Sequence, residues 1–260
     1  MSCKAVSRCR SAAEAEQKVG GAVRHRWVGG NLPLDSQCAV CEEVAGTGPG
    51  LRDLRCVWCQ RTVHTECEPS LPATCDYGLH RNLIVPPERV VSKQGRTMAS
   101  PRRKIISELV LPPAGQDPNF RPLVVVGNNK SGNSDGAAVL AGFRRQLNPA
   151  QVVDLGETSM EEALEWCSLA APRQCILLVC GGDGTIGWAL NTVHKMALRT
   201  PPTLAIFPLG TGNDLARTLG YGSGSDSTTD ISSVLTQLGS TARRKIHYHR
   251  NSDCRNGCNS

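Results

Sequence analysis

From Leu123 onward the chain alternates short apolar runs with amphipathic stretches. Leu123–Val126 reads as a buried strand, Asn128–Gly132 as a turn, and the region near Ala137–Leu147 as an amphipathic helix. Gln151–Asp154 predicts a second strand. Ser159 then caps a helix over Met160–Cys167, with Glu162 in the capping-box position. Ile176–Cys180 is a third strand, Gly181–Gly184 a tight loop and Thr185–Ala197 a helix. Leu204–Phe207 is a fourth strand, Pro208–Asn213 a loop and Asp214–Leu219 a short helix. This order predicts an α/β lobe: a partial, doubly wound parallel sheet with helices on its faces. Ligands of such sheets sit in the loops after the carboxyl ends of the strands. Beyond Tyr221 the periodicity fades. Gly222–Asp230 is rich in Gly, Ser and Thr, Ser233–Gly239 predicts one more helix, and Arg243–Ser260 is basic without an apolar face.

The first half lacks that alternation. Residues 1–23 are polar and aperiodic, and Cys3 and Cys9 there fit the stub of a further finger. Residues 24–83 carry eight metal-ligand residues: His25, Cys38, Cys41, Cys56, Cys59, His64, Cys67 and Cys75, separated by 12, 2, 14, 2, 4, 2 and 7 residues. Eight ligands make two tetrahedral sets, and Cys-x-x-Cys pairs let two thiolates grip one zinc ion from a tight turn. A stretch this short has little apolar area of its own, so metal supplies missing stability. Residues 84–121 contain Pro-Pro twice with Arg89, Lys93, Arg96, Arg102, Arg103 and Lys104, the composition of a basic, solvated linker. The expected domains are therefore a stub (1–23), a small β-rich finger (24–83), a linker (84–121), a sheet lobe (122–222) and a low-complexity tail (223–260).

Composition narrows the class further. The chain of 260 residues has 26 glycines and 16 prolines but only 4% aromatics, so much of it is turn. A net charge of +6 is a mild bias toward anions and selects none. The thirteen cysteines would suit a secreted scaffold, but those outside the zinc spacing show no even framework, which predicts a reducing, intracellular compartment. The longest apolar runs fall far short of the ~20 residues that span a bilayer, so any membrane contact of this chain is expected to be peripheral. No recognition helix with base-reading spacing is evident, so nucleic acid is not an expected partner.

Three loops at the predicted ligand edge carry phosphate chemistry. Gly181-Gly182-Asp183-Gly184-Thr185 lies between a buried strand and a helix. Its glycines allow close approach of a phosphate to main-chain amides, and the helix start offers free N–H groups and a positive dipole end. A carboxylate there would repel phosphate unless Asp183 also engages magnesium, directly or through water. The second loop, Pro208-Leu209-Gly210-Thr211-Gly212-Asn213-Asp214, offers backbone and side-chain donors. The third, Asn128-Asn129-Lys130-Ser131-Gly132, offers Lys130 charge and Ser131 and Gly132 donors, and alone is equally readable as a simple turn. Gly182–Gly187 fits a dinucleotide fingerprint, but the next strand ends at Pro208 where an acidic residue is required, and no Walker lysine occurs.

The spacing of the eight ligands resembles the phorbol-ester/diacylglycerol-type zinc finger. That resemblance implies interleaved sets: His25, Cys56, Cys59 and Cys75 on one structural zinc, and Cys38, Cys41, His64 and Cys67 on the other. The family's lipid groove uses a Pro-Thr-Phe-like segment and a Gln-Gly. Here those places read Asp35-Ser36-Gln37 and Arg52-Asp53, so an atypical finger used for packing or protein-partner contact is expected. The three loops, with Phe143–Val152 and Val179–Trp188, look like the catalytic domain of diacylglycerol kinases, relatives of sphingosine, ceramide and NAD kinases. Stretches His25–Leu34 and Cys56–Gln60 are similar to the epsilon type. Asn129 stands where many relatives have proline. The resemblance implies ATP and Mg2+ as cofactors, diacylglycerol at a membrane surface as substrate and phosphatidic acid as product. It makes Asp183 catalytic and assigns Asn128, Ser131, Gly132, Gly181, Gly182, Gly184, Thr185, Gly210, Thr211, Gly212 and Asn213 to the nucleotide. It stops near Gly222, where relatives continue into a mostly β lobe. The expectation is thus a chain truncated after its first catalytic lobe, with little activity of its own. The alternative is a non-catalytic regulator or partner-binding fragment.

Overall fold

The computed structural model describes residues 18–19, 22–30, 32–47, 51–97, 100–111, 117–131, 135–209, 212–222 and 224–240. The expectations for Cys3, Cys9 and the basic tail lie outside them, as do those for Gly132, Gly210 and Thr211. Besides a small ladder of β1 (Lys18–Val19) and β2 (Ala22–Val23), the finger contains an antiparallel sheet of β3 (Trp27–Gly29), β4 (Leu54–Cys56) and β5 (Thr62–Val63).

The lobe is built on β8 (Leu123–Gly127), β9 (Val152–Asp154), β10 (Ile176–Gly181) and β11 (Thr203–Pro208), all parallel, in the order β11-β10-β8-β9. The intervening helices are α1 (Asp135–Gln146), α2 (Met160–Ala170), α3 (Asp183–Met196), α4 (Asp214–Thr218) and α5 (Ile231–Ser240). Ser159 caps α2 as expected, its hydroxyl accepting from Glu162 N at 3.2 Å. Alternate strand residues face opposite sides. Leu123, Val125, Leu178 and Phe207 join α1 and α5 on one face, while Val124, Val126, Val179 and Ile206 join α2, α3 and α4 on the other. Phe143 of α1 meets Phe207 edge-on, with ring centroids 5.7 Å apart. The chain runs from β8 to the edge strand β9, then crosses back to β10 on the other side of β8. That reversal opens a crevice at the carboxyl ends of β8 and β10.

Two expectations change. The segment read as a linker folds in part into a hairpin, β6 (Val90–Thr97) against β7 (Ser100–Leu109), rooted by buried Leu109 with Val90 and Ile106 on the second cluster. Its β-branched ends, Val90-Val91 and Ile105-Ile106, favour strand over solvated coil. Helix α3 begins at Asp183 rather than Thr185, with Gly182 as its extended N-cap, so Asp183 and Gly184 lie within the first turn.

The finger is docked on the lobe. Cys56, Trp58, Cys59 and Cys75 belong to the same buried cluster as Leu123, Phe143 and Leu235. Gln60 Nε2 donates to the Arg145 carbonyl of α1 at 3.3 Å, and His80 Nε2 lies 3.3 Å from Ser232 Oγ of α5. The segment leaving the finger, 83–85, is held by buried amides from the turn before β9. Gln151 Oε1 accepts from Val85 N (2.7 Å), its Nε2 donates to the Leu83 and Leu123 carbonyls (2.8 and 2.5 Å), and Asn148 Nδ2 donates to the Val85 carbonyl (2.9 Å).

Candidate nucleotide edge and zinc centres

The eight ligand residues converge as two groups, His25/Cys56/Cys59/Cys75 and Cys38/Cys41/His64/Cys67, with all ligand atoms of a group within 4.8 Å of one another. A tetrahedral zinc with Zn–S near 2.3 Å places ligand atoms roughly 3.5–3.8 Å apart. The structure has Cys59 Sγ 3.4 Å from His25 Nδ1, Cys56 Sγ 3.9 Å from Cys75 Sγ, and Cys41 Sγ 3.4 Å from His64 Nδ1. His64 Nε2 lies 3.2 Å from the Val44 carbonyl, a contact that orients the ring and leaves Nδ1 as the metal donor. The His25 ring stacks on Trp27 at 4.9 Å. Crowding the thiols favours one thiolate at its neighbours' expense. Hydrogen bonds from Cys59 and Cys75 draw Cys56 far down, while the bond to Cys56 pushes Cys59 up to about 11. A dication is what lets all of them ionise together. Both sets fit structural zinc.

At the carboxyl edge of the sheet the loops that follow β10 and β11 are joined. Leu209 N donates to the Gly181 carbonyl (3.2 Å) and Asp183 N to the Gly212 carbonyl (3.2 Å). The Asp183 carboxylate accepts from Asp214 N at 2.9 Å and Leu215 N at 3.2 Å, so it caps α4 across the gap between loops. The sequence reading missed that role, because a carboxylate capping a helix 31 residues away leaves no local spacing signal. A Cβ on Gly182 would lie 3.1 Å from the Gly212 carbonyl, so a side chain there would press the two loops apart by a few tenths of an ångström. Gly184 and Gly212 are different: among the described residues a Cβ there meets nothing within 4 Å, so open space lies beside both.

The loop after β8 is stitched internally. Asn128 Oδ1 accepts from Lys130 N (2.9 Å), and Ser131 N donates to the Asn128 carbonyl (3.0 Å). Asp154, at the end of β9, is a residue the sequence reading did not single out. Its Oδ1 accepts from Asn129 N (3.3 Å) and Gly156 N (2.9 Å), tying this loop to the neighbouring strand end. Its signal was available: a carboxylate closing a short strand at the ligand edge. Asn213 is buried beside Gly182, its Oδ1 lying 3.7 Å from where a Gly182 Cβ would stand.

Residues 122–247 match the family description "Diacylglycerol kinase catalytic domain", and residues 25–78 match "Phorbol esters/diacylglycerol binding domain (C1 domain)". The first match runs past Gly222 and takes in α5. Among curated relatives, diacylglycerol kinase eta of Drosophila melanogaster is 37% identical over 234 residues, covering 89% of this chain and 12% of the relative. Diacylglycerol kinase delta of Mus musculus is 37% identical over 225 residues, covering 86% of this chain and 17% of the relative. The chain thus spans a small fraction of the length of the relatives it matches. These two are of the eta and delta types, not the epsilon type. A solved structure, a putative diacylglycerol kinase from Bacillus anthracis str. Sterne, is 26% identical, with 45% of this chain and 38% of that chain covered and a TM-score of 0.31.

Proposed function

This chain belongs to the eukaryotic diacylglycerol kinase family, and on that premise we propose that its lobe binds ATP for phosphoryl transfer to 1,2-diacylglycerol, yielding phosphatidic acid. One observation carries the reading. Two glycine loops are locked together at the sheet's carboxyl edge, and Gly184 and Gly212 stay uncovered there, Gly184 on the first turn of α3. Bound ATP with Mg2+ would supply the transferable γ-phosphoryl group. Such chemistry rests on positioning and charge neutralisation rather than covalent help.

In this reading Gly181, Gly182, Gly184 and Thr185 hold phosphate oxygens by main-chain and hydroxyl donors. Asn128, Ser131, Gly132, Gly210, Thr211, Gly212 and Asn213 close the nucleotide site. Asp183 keeps the two loops in register. Each of its oxygens also retains acceptor capacity beyond the amide it binds, enough to meet Mg2+ through water. The first zinc group serves as a buttress of the lobe. The finger's exposed Leu34, Val44 and Leu51 lie outside that buried cluster and are the positions a protein partner would use. No helix among the described residues is long and apolar enough to cross a membrane. We read lipid contact as peripheral, at an intracellular membrane face, on the strength of the match to a diacylglycerol-binding domain.

The test is Mg2+-dependent binding of a fluorescent ATP analogue, paired with labelled phosphate transfer to diacylglycerol in mixed micelles. Gly184→Val puts a branched side chain into that open space and should weaken nucleotide binding by about tenfold or more, the worth of one or two phosphate contacts. Zinc content should not change. A wild-type chain that binds no ATP, or a Gly184→Val chain that binds it unchanged, would remove the assignment.

A further inference from the structure

The hairpin β6–β7 lies between the two matched domains and belongs to neither. Between Val90 and Ser107 stand Lys93, Arg96, Arg102, Arg103 and Lys104, with no Asp or Glu. The whole chain has a net charge of +6, so the rest of it is close to neutral. This charge is concentrated on a ribbon with a fixed register: Lys93 pairs with Ile105, Gln94 with Lys104 and Gly95 with Arg103. At about 3.3 Å per residue, strands of eight and ten residues give a ribbon roughly 25–30 Å long. Its root is fastened: Leu109 is buried, Val90 and Ile106 pack on the second cluster, and Val110 N donates to the Arg89 carbonyl at 2.9 Å. Among the described residues no third strand joins it.

A two-stranded ribbon is marginal by itself, and like charges brought together weaken it further. Folding therefore gives no reason for this composition. Cations do protect exposed strand edges from aggregation, but a mixture of signs or one or two lysines suffices for that. Carboxylates occur at the root (Glu88, Glu108) and on α2, beside β7 (Glu161, Glu162, Glu165), while the outer segment 92–104 has none.

We propose that hairpin β6–β7 is an electrostatic docking surface for an anionic lipid bilayer, holding the lobe at the membrane where its substrate resides. The substrate clause rests on the kinase reading above; the docking itself rests on the ribbon's charge and place. The ribbon attracts the headgroups of acidic lipids and needs no apolar insertion, consistent with the absence of a membrane-spanning helix among the described residues. Each basic residue near such a surface strengthens binding about fivefold.

The experiment is flotation of the full chain with phosphatidylcholine vesicles, with and without phosphatidylserine, at low and high sodium chloride. The wild-type chain should bind the phosphatidylserine vesicles, lose that binding at high salt, and ignore pure phosphatidylcholine. Replacing Lys93, Arg96, Arg102, Arg103 and Lys104 together by Gln should weaken binding by about a hundredfold or more. The same charge change at Arg243, Arg244, Lys245, Arg250 and Arg255 should cost far less. Zinc content and thermal midpoint, measured on both variants, show whether each is folded. A folded hairpin variant that keeps its vesicle binding overturns the proposal and leaves edge protection or pairing with α2 as the role of these charges. Tighter binding of the wild-type chain to single-stranded RNA than to vesicles overturns it as well. If the hairpin variant does not fold, Arg102→Gln/Arg103→Gln replaces it and should weaken binding by about twenty-fold; unchanged binding refutes the proposal. ATP-analogue binding in the absence of lipid separates this result from the kinase reading, since either can fail while the other stands.

Discussion

Gln151 is the side chain on which the union of finger and lobe can be measured. It is fully buried and makes three hydrogen bonds, to Val85 N, the Leu83 carbonyl and the Leu123 carbonyl. Gln151→Met keeps the length of the side chain, so the cavity contribution is small, and removes all three bonds. Each of the two lost bonds to a carbonyl costs about 1 kcal/mol, and the Val85 N–H, left buried without its partner, costs about 1–3 kcal/mol. The sum is about 3–5 kcal/mol, a large share of the roughly 5–15 kcal/mol that holds a domain folded. In urea, with a slope of roughly 2–3 kcal/mol per molar, the unfolding midpoint should fall by about 1–2 M. Fluorescence of Trp166 in the lobe and Trp58 in the finger reports both parts, and the two should unfold together. Gln174→Met is the control: that exposed side chain bonds the Pro201 carbonyl at 3.1 Å, and its loss should stay within about 0.5 kcal/mol. A midpoint for Gln151→Met equal to that of the control would refute the clip.

The two zinc centres should behave differently. Cys75→Ser should lose one zinc by elemental analysis and lower the lobe's unfolding free energy by several kcal/mol, because Cys75 shares the buried cluster with Leu123 and Phe143. Cys41→Ser, at the exposed second centre, should lose one zinc with little change in the lobe. His80 should give the protein a pH slope. Burial lowers its pKa, partly offset by Asp230, so the folded state resists protonation. Its contribution is therefore intact above the ordinary histidine value of about 6.5 and fades as pH falls through the lower folded value. His80→Gln should flatten the dependence of unfolding free energy between about pH 7 and pH 5, and an unaltered slope would refute the assignment.

The sheet lobe was legible because its strands are runs of β-branched or aliphatic residues closed by Gly127, Asp154, Gly181 and Pro208, and because Ser159 is a recognisable helix cap. The zinc ligands were legible from spacing alone. Three things were not. The hairpin was hidden by its own charge, since Lys93, Arg102 and Arg103 read as solvated linker while only the register with Val90–Gly95 makes them strand. The capping of α4 by Asp183 joins residues far apart in sequence, and periodicity carries no such information. The docking of the finger on α1 and α5 rests on Trp58, Gln60 and His80, residues whose local pattern fits an independent finger equally well.

The shared cluster under the first zinc centre also bears on where this chain can be cut. The two matched regions end at 78 and begin at 122, yet Leu83 and Ile84 between them lie in the same interior as Cys75 and Phe143. A lobe excised at 122 would turn part of one sheet face to water and lose the segment that Gln151 grips. The unit that evolution can shuffle, or an experimenter can transplant, is finger, connector and lobe in one piece.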